Sequence, residues 1–436
     1  MTELPATALA SSAIGRVGRR LVPFVFLLYV VNYLDRVNVS FAALQMNRDL
    51  GFSSSQYGLG AGIFFLGYVL FQVPANLLLV RFGARRWIAT IMITWGCLSG
   101  LMMFIHRPVE FYLLRVLLGF AEAGFFPGVI LYLTQWFPAA ARARAVATFM
   151  TAIPISAIVG APLSGALLGM SGVAGLAGWR WLFLCEALPA LLLGAAAFWY
   201  LTDRPAEAEW LPPAEREWLL AELARERPQG GGSDLGALRQ VVSDSRFWVL
   251  GLLWWLLIAG LYGVSLWLPQ MVRALSRGSD FTVALLSAIP SLAAVASMVL
   301  VARSSDRAGE RFLHIAGSAA IAAVGLLGAA MLHSLPLVLA SFCLAYVATG
   351  TYGPFWTLPP RFVGGRNTAA PGIAFINSIG NLGGFIGPYL LGWVRQRTAG
   401  FAGGLLPLAA SAGAAAVLAL VIRRVPGFNP GRAETA

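Results

Sequence analysis

The sequence predicts an all-α integral membrane protein with twelve transmembrane helices in two pseudo-symmetric six-helix bundles. Three observations carry that expectation. Of 436 residues, 58% are hydrophobic and only 11% charged, with a mean hydropathy of +0.74, against roughly a quarter charged in an ordinary soluble domain. Apolar runs of about 20 residues, the thickness of a bilayer core, recur along nearly the whole chain. The third observation is a repeat: Arg81, Gly83 and Arg85 recur 226 positions later as Arg307, Gly309 and Arg311, and Pro162 recurs at the same offset as Pro388. One offset at two separate places fits two six-helix bundles related by an axis along the membrane normal, an arrangement that suits rocking around a central site.

Taken in order, the first six spans fall near 21–44, 56–80, 86–105, 109–131, 145–169 and 179–201. The first run is read as a retained helix, because no small-residue cleavage site follows it. The polar stretch 202–245 then separates an N-terminal bundle, 1–201, from a C-terminal bundle, 246–436. Within it "PPAEREWLLAELARER" reads as an amphipathic surface helix and "PQGGGS" as a flexible tether. The second six spans lie near 246–269, 281–302, 312–332, 335–358, 370–394 and 402–422.

All 31 basic residues are Arg, and the net charge is +12. With the N-terminus inside, the inner segments hold 22 Arg and the outer segments seven, so the positive-inside rule places both termini in the cytoplasm. That asymmetry accounts for the basic balance and leaves no reason to invoke nucleic acid. The three His are far apart, the three Cys lack C-x-x-C spacing, and no phosphate-binding glycine loop occurs. Neither a metal, nor another cofactor, nor ATP is therefore expected, and energy must come from an ion gradient.

Charge inside the spans is the sharpest chemical signal, since each such residue costs about 2.5–3.5 kcal/mol even on a lenient insertion scale. Asp35 and Arg36 lie in span one, Arg115 and Glu122 in span four, and Glu186 in span six; the second-half spans have no acid. Arg115 and Glu122, seven residues apart, share one helix face about 10 Å apart. Asp35 and Arg36 sit at a depth between them, so the four charges are expected to meet in one cluster. Two ion pairs that merely fix packing would also place them there, although buried ion pairs stabilise poorly. The chemistry favours proton-linked anion transport: Arg holds a carboxylate by a fork that never deprotonates, while Asp and Glu exchange protons. Glu186 reads as structural, since the spacing brings no second charge near it. "GAPLSG" (160–165) and "GPYLLG" (387–392) promise close helix contacts, with bends at Pro162 and Pro388. In the second half Tyr262, Trp267, Gln270, Ser291, Tyr352, Trp356, Asn377 and Asn381 offer uncharged polar groups.

At these residues the chain resembles the major facilitator superfamily, and within it the anion:cation symporter family. The resemblance rests on "NYLDRVNVSFAALQMNRDLGFS" (32–53), "FFLGYVLFQVPANLLLVRFGARR" (64–86), "RVLLGFAEAGFFPG" (115–128), "GWRWLFLCEALPALLLG" (178–194) and "YLTDRPAEAEWL" (200–211). The last of these is most similar to the tartrate, phthalate and aldonate permeases. The resemblance implies proton coupling at Asp35 and Glu122, and anion binding at Arg36 and Arg115. It adds Tyr33, Trp356 and Asn377 to a substrate pocket that Tyr262 would share. Arg81, Gly83 and Arg85, with Asp306 and Arg307, match the superfamily's loop motif, but Asn76 and Val80 stand where that motif carries Gly and Asp. The departure puts a first-half gating ion pair in doubt and weakens a drug-exporter reading.

The expected function is uptake of a small organic acid anion (a sugar acid, a tartrate-like acid or an aromatic carboxylate) by proton symport through alternating access. The expected setting is a bacterial inner membrane, with the protein a monomer whose partners are the anion, protons and lipid. An uncoupled facilitator or anion exchanger on the same fold, and a membrane sensor that binds the acid without moving it, stay open at this point.

Overall fold

The structure is a computed structural model that describes residues 6–226, 234–359, 369–425 and 428. Twelve long helices follow one another: α1 (Ala6–Asp49), α2 (Ser54–Phe82), α3 (Ala84–Leu101), α4 (Pro108–Trp136), α5 (Ala139–Leu168), α6 (Gly178–Tyr200), α7 (Ser245–Ser265), α8 (Asp280–Ala308), α9 (Phe312–Met331), α10 (Leu335–Trp356), α11 (Ala369–Thr398) and α12 (Ala402–Arg424). Among the described residues, nine of these are long and apolar enough to cross a membrane by length and composition. The other three, α1, α2 and α11, run for 44, 29 and 30 residues, each longer than the roughly 20 residues a bilayer core requires. Leu70, Leu192, Val324, Val417 and Trp199 stand exposed on the outside of the bundle, a surface that suits lipid rather than water.

Local sequence fixes where these helices start and stop. The Ser53 hydroxyl caps α2 by accepting from the Gln56 amide, and the Gln56 side chain returns the bond to the Ser53 N–H. Pro108 opens α4, where the Glu110 carboxylate accepts from the backbone of His106 and Arg107. The Ser279 hydroxyl caps α8 by accepting from the Thr282 amide. Gly83 and Gly309, equivalent in the repeat, end α2 and α8 with φ of +83° and +63°, a backbone setting that glycine adopts without steric cost.

Packing repeats with the sequence. α1 lies against α5 and α6, α3 against α6, and α2 against α4; in the second half α7 lies against α11 and α12, and α9 against α12. The halves meet along two helix pairs that the repeat also relates, α2 with α11 and α5 with α8. Close approach explains the glycine-rich segments there. A Cβ at Gly392 would lie 2.4 Å from the Ser54 carbonyl oxygen, and one at Gly165 would lie 2.8 Å from the Ala284 side chain. Hydrogen bonds between the halves gather at one end: Gln45 to Asp280, Asn47 to Gln270, Tyr57 to the Leu266 carbonyl, and the Ser55 amide to the Gln396 side-chain oxygen. Nearer mid-depth, Ser378 of α11 donates to Gln72 of α2.

Several boundaries differ from the sequence expectation. α1 begins at Ala6 rather than near Leu21, because its first turns have a partner outside the bilayer core: Ser12 and Arg16 bind the buried Glu215 carboxylate. Glu215 belongs to the linker helix Pro213–Glu226, which is docked rather than simply resting on a surface. Glu226 at its end accepts from the Ala139 amide and pairs with Arg142, so it caps α5. Trp210 stacks on Trp136, with the Arg20 guanidinium 4.8 Å from the Trp210 ring centre. The tether Pro228–Ser233 lies outside the described residues. In span seven, α7 stops at Ser265 and a short helix, Leu268–Leu275, follows with Pro269 in its first turn.

Candidate functional site

The charged residues of α1 and α4 meet in the middle of the first half, but they do so in two groups. Arg36 donates through Nη2 and Nε to one oxygen of Glu122, at 2.8 and 3.2 Å, and Asn32 donates to that same oxygen at 3.0 Å. Asn32 stands four residues before Arg36, one helix turn, so both side chains lie on one α1 face and reach Glu122 of α4 from it. Glu122 is 1% exposed and the Arg36 side chain 12%. The guanidinium lies 5.4 Å from the Phe64 ring centre and 5.3 Å from that of Tyr68, both on α2. Such a contact spreads the cation over aromatic faces without consuming its N–H donors. Of the five donors a guanidinium carries, two are spent on Glu122.

Asp35 belongs to the second group. One residue along α1 turns its side chain about 100° from that of Arg36, and it meets α3 instead of α4. The Asp35 Oδ1 atom accepts from the Ser99 hydroxyl and, at 2.8 Å, from the Asn38 amide. Its second oxygen has no hydrogen-bond partner. Arg115 is likewise diverted. It is 2% exposed and donates to the carbonyls of Gly60 and Ala61 on α2 at 3.2 and 3.1 Å, with Phe64 4.8 Å away on its π face. The single four-charge cluster expected from spacing is therefore corrected to one ion pair, one acid held by neutral donors, and one arginine held by backbone carbonyls. The 10 Å between Arg115 and Glu122 along α4 is real, but it delivers Arg115 to the carbonyls of α2.

Aromatic side chains surround Arg36. Tyr29, Tyr68 and Tyr262 lie near enough to interact with its charge, and Tyr33 groups with Tyr262 and Tyr352. Tyr262 packs on Phe65 with ring centres 4.5 Å apart, and Trp356 packs on Trp254 at 5.0 Å. Asn377 is half-buried on α11, its carbonyl taken by the Asn381 amide at 2.9 Å. Trp267 and Gln270 are elsewhere: Gln270 accepts from Asn47 of the first half and from Arg395 of α11, and Trp267 donates to the Pro388 carbonyl of α11 and meets Tyr57 of the first half edge-on. Asn32, Asn38, Phe64 and Ser99 are site residues that the sequence reading passed over. For Asn32 and Asn38 a signal existed, since they stand at helical spacing on either side of Asp35 and Arg36.

The loop after α2 has an acid after all. Asp203, at the end of the first half, accepts from the Arg85 amide at 2.8 Å and pairs with the Arg85 side chain at 3.4 Å, beside Gly83. It brings a carboxylate from a distant segment of the chain to the Arg85 turn. In the second half the equivalent pair is local, Asp306 with Arg311 at 2.6 Å. Arg81 and Arg307 are exposed, with Arg81 over the Phe82 ring.

Comparison with known proteins agrees with this fold. Residues 25–388 match the Major Facilitator Superfamily. A protein of Agrobacterium vitis named "Putative tartrate transporter" is 48% identical over 425 residues, covering 97% of this chain and 98% of that one. A protein of Acinetobacter baumannii named "Quinolone resistance transporter" is 41% identical over 391 residues, covering 88% and 89%. Among solved structures, a bacterial homologue of the human lysosomal transporter Spinster superposes with a TM-score of 0.75 at 18% identity, over 93% of this chain and 95% of that one. The chain is a membrane-spanning transporter, not an enzyme, and belongs to the Major Facilitator Superfamily.

Proposed function

We propose that this transporter takes up a small organic acid anion together with protons, by alternating access between the six-helix groups 1–201 and 246–436. The observation that carries the reading is the Arg36–Glu122 pair, in which the arginine and Asn32 converge on a single carboxylate oxygen. A proton on that carboxylate removes the charge that holds Arg36. The freed guanidinium then receives the substrate's carboxylate, with two N–H groups available for a fork. Proton and anion binding favour each other by equal factors, which is the coupling symport requires. Around the arginine, Tyr33, Tyr262, Trp356 and Asn377 provide hydroxyl, amide and aromatic contacts for the rest of the acid. Arg115, held on α2 in this conformation, supplies a fixed positive charge near that site.

Tartrate and related hydroxy acids are the first substrates to test, given the name carried by the 48% identical relative. The 22 to 7 distribution of Arg supports a cytoplasmic position for both termini, and the likeness to the Agrobacterium vitis protein supports a bacterial inner membrane. The hydrogen-bonded contact between the halves then lies on the outer side. The carrier works as a monomer, powered by the proton gradient with no cofactor. In proteoliposomes, an inward proton gradient should drive accumulation of labelled tartrate or another hydroxy acid, and a protonophore should abolish it. Uptake that ignores the protonophore would select a facilitator or exchanger, and binding without flux a sensor. The 41% identity to a quinolone resistance transporter favours a second reading, in which the same site exports an aromatic carboxylate in exchange for protons. Accumulation in inverted vesicles with an acidified lumen, so that protons flow outward as substrate enters, would select it.

A further inference from the structure

Glu186 has no part in the coupling scheme above, yet it is among the most enclosed acids of the protein. It is 3% exposed, as is Asp35. The Ser164 hydroxyl of α5 donates to its Oε1 at 2.9 Å, and its Oε2 has no partner. Spacing brought it no charged neighbour, but α6 packs directly on α1 and sets Glu186 beside Asn38 and within electrostatic reach of Asp35. Asn38 is 1% exposed and already donates to Asp35. Two buried carboxyl groups therefore flank one amide, each with an unpartnered oxygen. No arginine or histidine among the described residues lies within ion-pairing distance of either.

We propose that Asp35 and Glu186 hold protons as one coupled pair across Asn38, which makes Glu186 a third proton-exchanging residue of this carrier. A carboxylate enclosed without a cation is costly, and two of them facing each other are costlier. A proton leaving one member leaves a single negative charge that Asn38 and the nearby serine hydroxyl, Ser99 or Ser164, help to bear. That charge opposes loss of the second proton, so the two leave in separate steps that belong to the pair. The charged and titratable groups around it are few. Glu122 and Arg115 act on Asp35 through space, Cys185 lies next to Glu186 on α6, and Arg36 is committed to Glu122. Because Asp35 and Arg36 are successive residues of α1, a shift of that helix moves both groups together, which connects the pair to the anion site.

That the pair holds protons does not depend on the symport reading; that those protons accompany substrate does. Infrared spectra of the purified protein in lipid, titrated with acid and base, separate the two. Protonated carboxyl groups absorb apart from carboxylates and amides. Glu186→Gln should remove one buried carboxyl band and shift the pH at which the Asp35 band disappears, and Asp35→Asn should shift the Glu186 band in return. Spectra in which Glu186→Gln removes no such band, or in which neither substitution moves the other's band, would overturn the proposal. If Glu186→Gln does not fold, the shift in Asp35→Asn alone decides. With labelled tartrate as probe, Glu186→Gln should displace the pH profile of proton-driven uptake, whereas a purely structural role would scale uptake equally at every pH. Wild-type protein that shows the coupled bands but no proton-driven uptake would leave the pair standing and remove the symport reading.

Discussion

The two faces of α1 solve the same problem in opposite ways. On the side toward α4, a buried acid is matched: Glu122 receives Arg36 and Asn32 on one oxygen. On the side toward α3 and α6, Asp35 and Glu186 are given only Ser99, Asn38 and Ser164, all neutral. A matched pair stores charge in place and yields it when one partner is neutralised or replaced. Neutral donors suit a group that gains and loses a proton without an anion taking its place. The first face therefore fits exchange of a proton for a substrate carboxylate, and the second fits proton storage alone.

If that contrast is correct, removing a cation should hurt on one face and removing an acid should be tolerated on the other. The largest effect is expected for Arg36→Leu, which strands the Glu122 charge at a cost of about 3–5 kcal/mol. Thermal unfolding of the purified protein should show a large loss, with most of it recovered in the double variant Arg36→Leu, Glu122→Leu. A double variant no more stable than the single one would mean that the pair is not the isolated unit described here. Next in size, Arg36→Lys keeps the charge but not the fork. Losing one charge-assisted hydrogen bond, worth about 1.5–3 kcal/mol, weakens binding of the substrate anion roughly 10- to 100-fold, measured by titration calorimetry, while the protein still inserts. The smallest effect is expected for Asp35→Asn. The amide copies the neutral acid and keeps an acceptor for Ser99, so the melting temperature should fall by an amount equivalent to less than about 1 kcal/mol. A loss as large as that of Arg36→Leu would show that Asp35 carries its charge in the folded carrier and would break the contrast.

How much of this the sequence disclosed depended on whether a feature is local or set by packing. The repeat of Arg81, Gly83 and Arg85 at Arg307, Gly309 and Arg311 needed no structure, and it reappears as two positive-φ glycines at matching helix ends. The membrane embedding of Arg36 and Glu122 was equally plain from hydropathy. What sequence spacing could not supply is the rotational phase of α1 against its neighbours. Asp35 and Arg36 are adjacent in the chain and were expected in one cluster, yet 100° of helix turn sends them to different partners. Glu186 looked isolated for the same reason, since Asn38 reaches it only through the packing of α6 on α1. Asp203 is a third case: it sits 118 residues from Arg85 in the chain, too far for a motif to connect them, and only the fold brings the two together. The linker helix shows the converse. Its helical period was legible, but the docking of Glu215 and Glu226 depends on Ser12 and Arg16 of α1 and on Ala139 and Arg142 of α5, two segments far from it in the chain.

Coupling at Glu122 is the claim on which the rest depends, and Glu122→Gln tests it most directly. The amide reproduces a permanently protonated carboxyl group and leaves Arg36 free for the anion. In proteoliposomes loaded with unlabelled tartrate, the variant should exchange labelled for unlabelled acid at a rate near that of the wild type. Under an imposed proton gradient with no acid inside, it should not accumulate label above equilibrium. Accumulation at the wild-type level in Glu122→Gln would contradict the account, leaving the Arg36–Glu122 pair a structural contact and the proton route elsewhere.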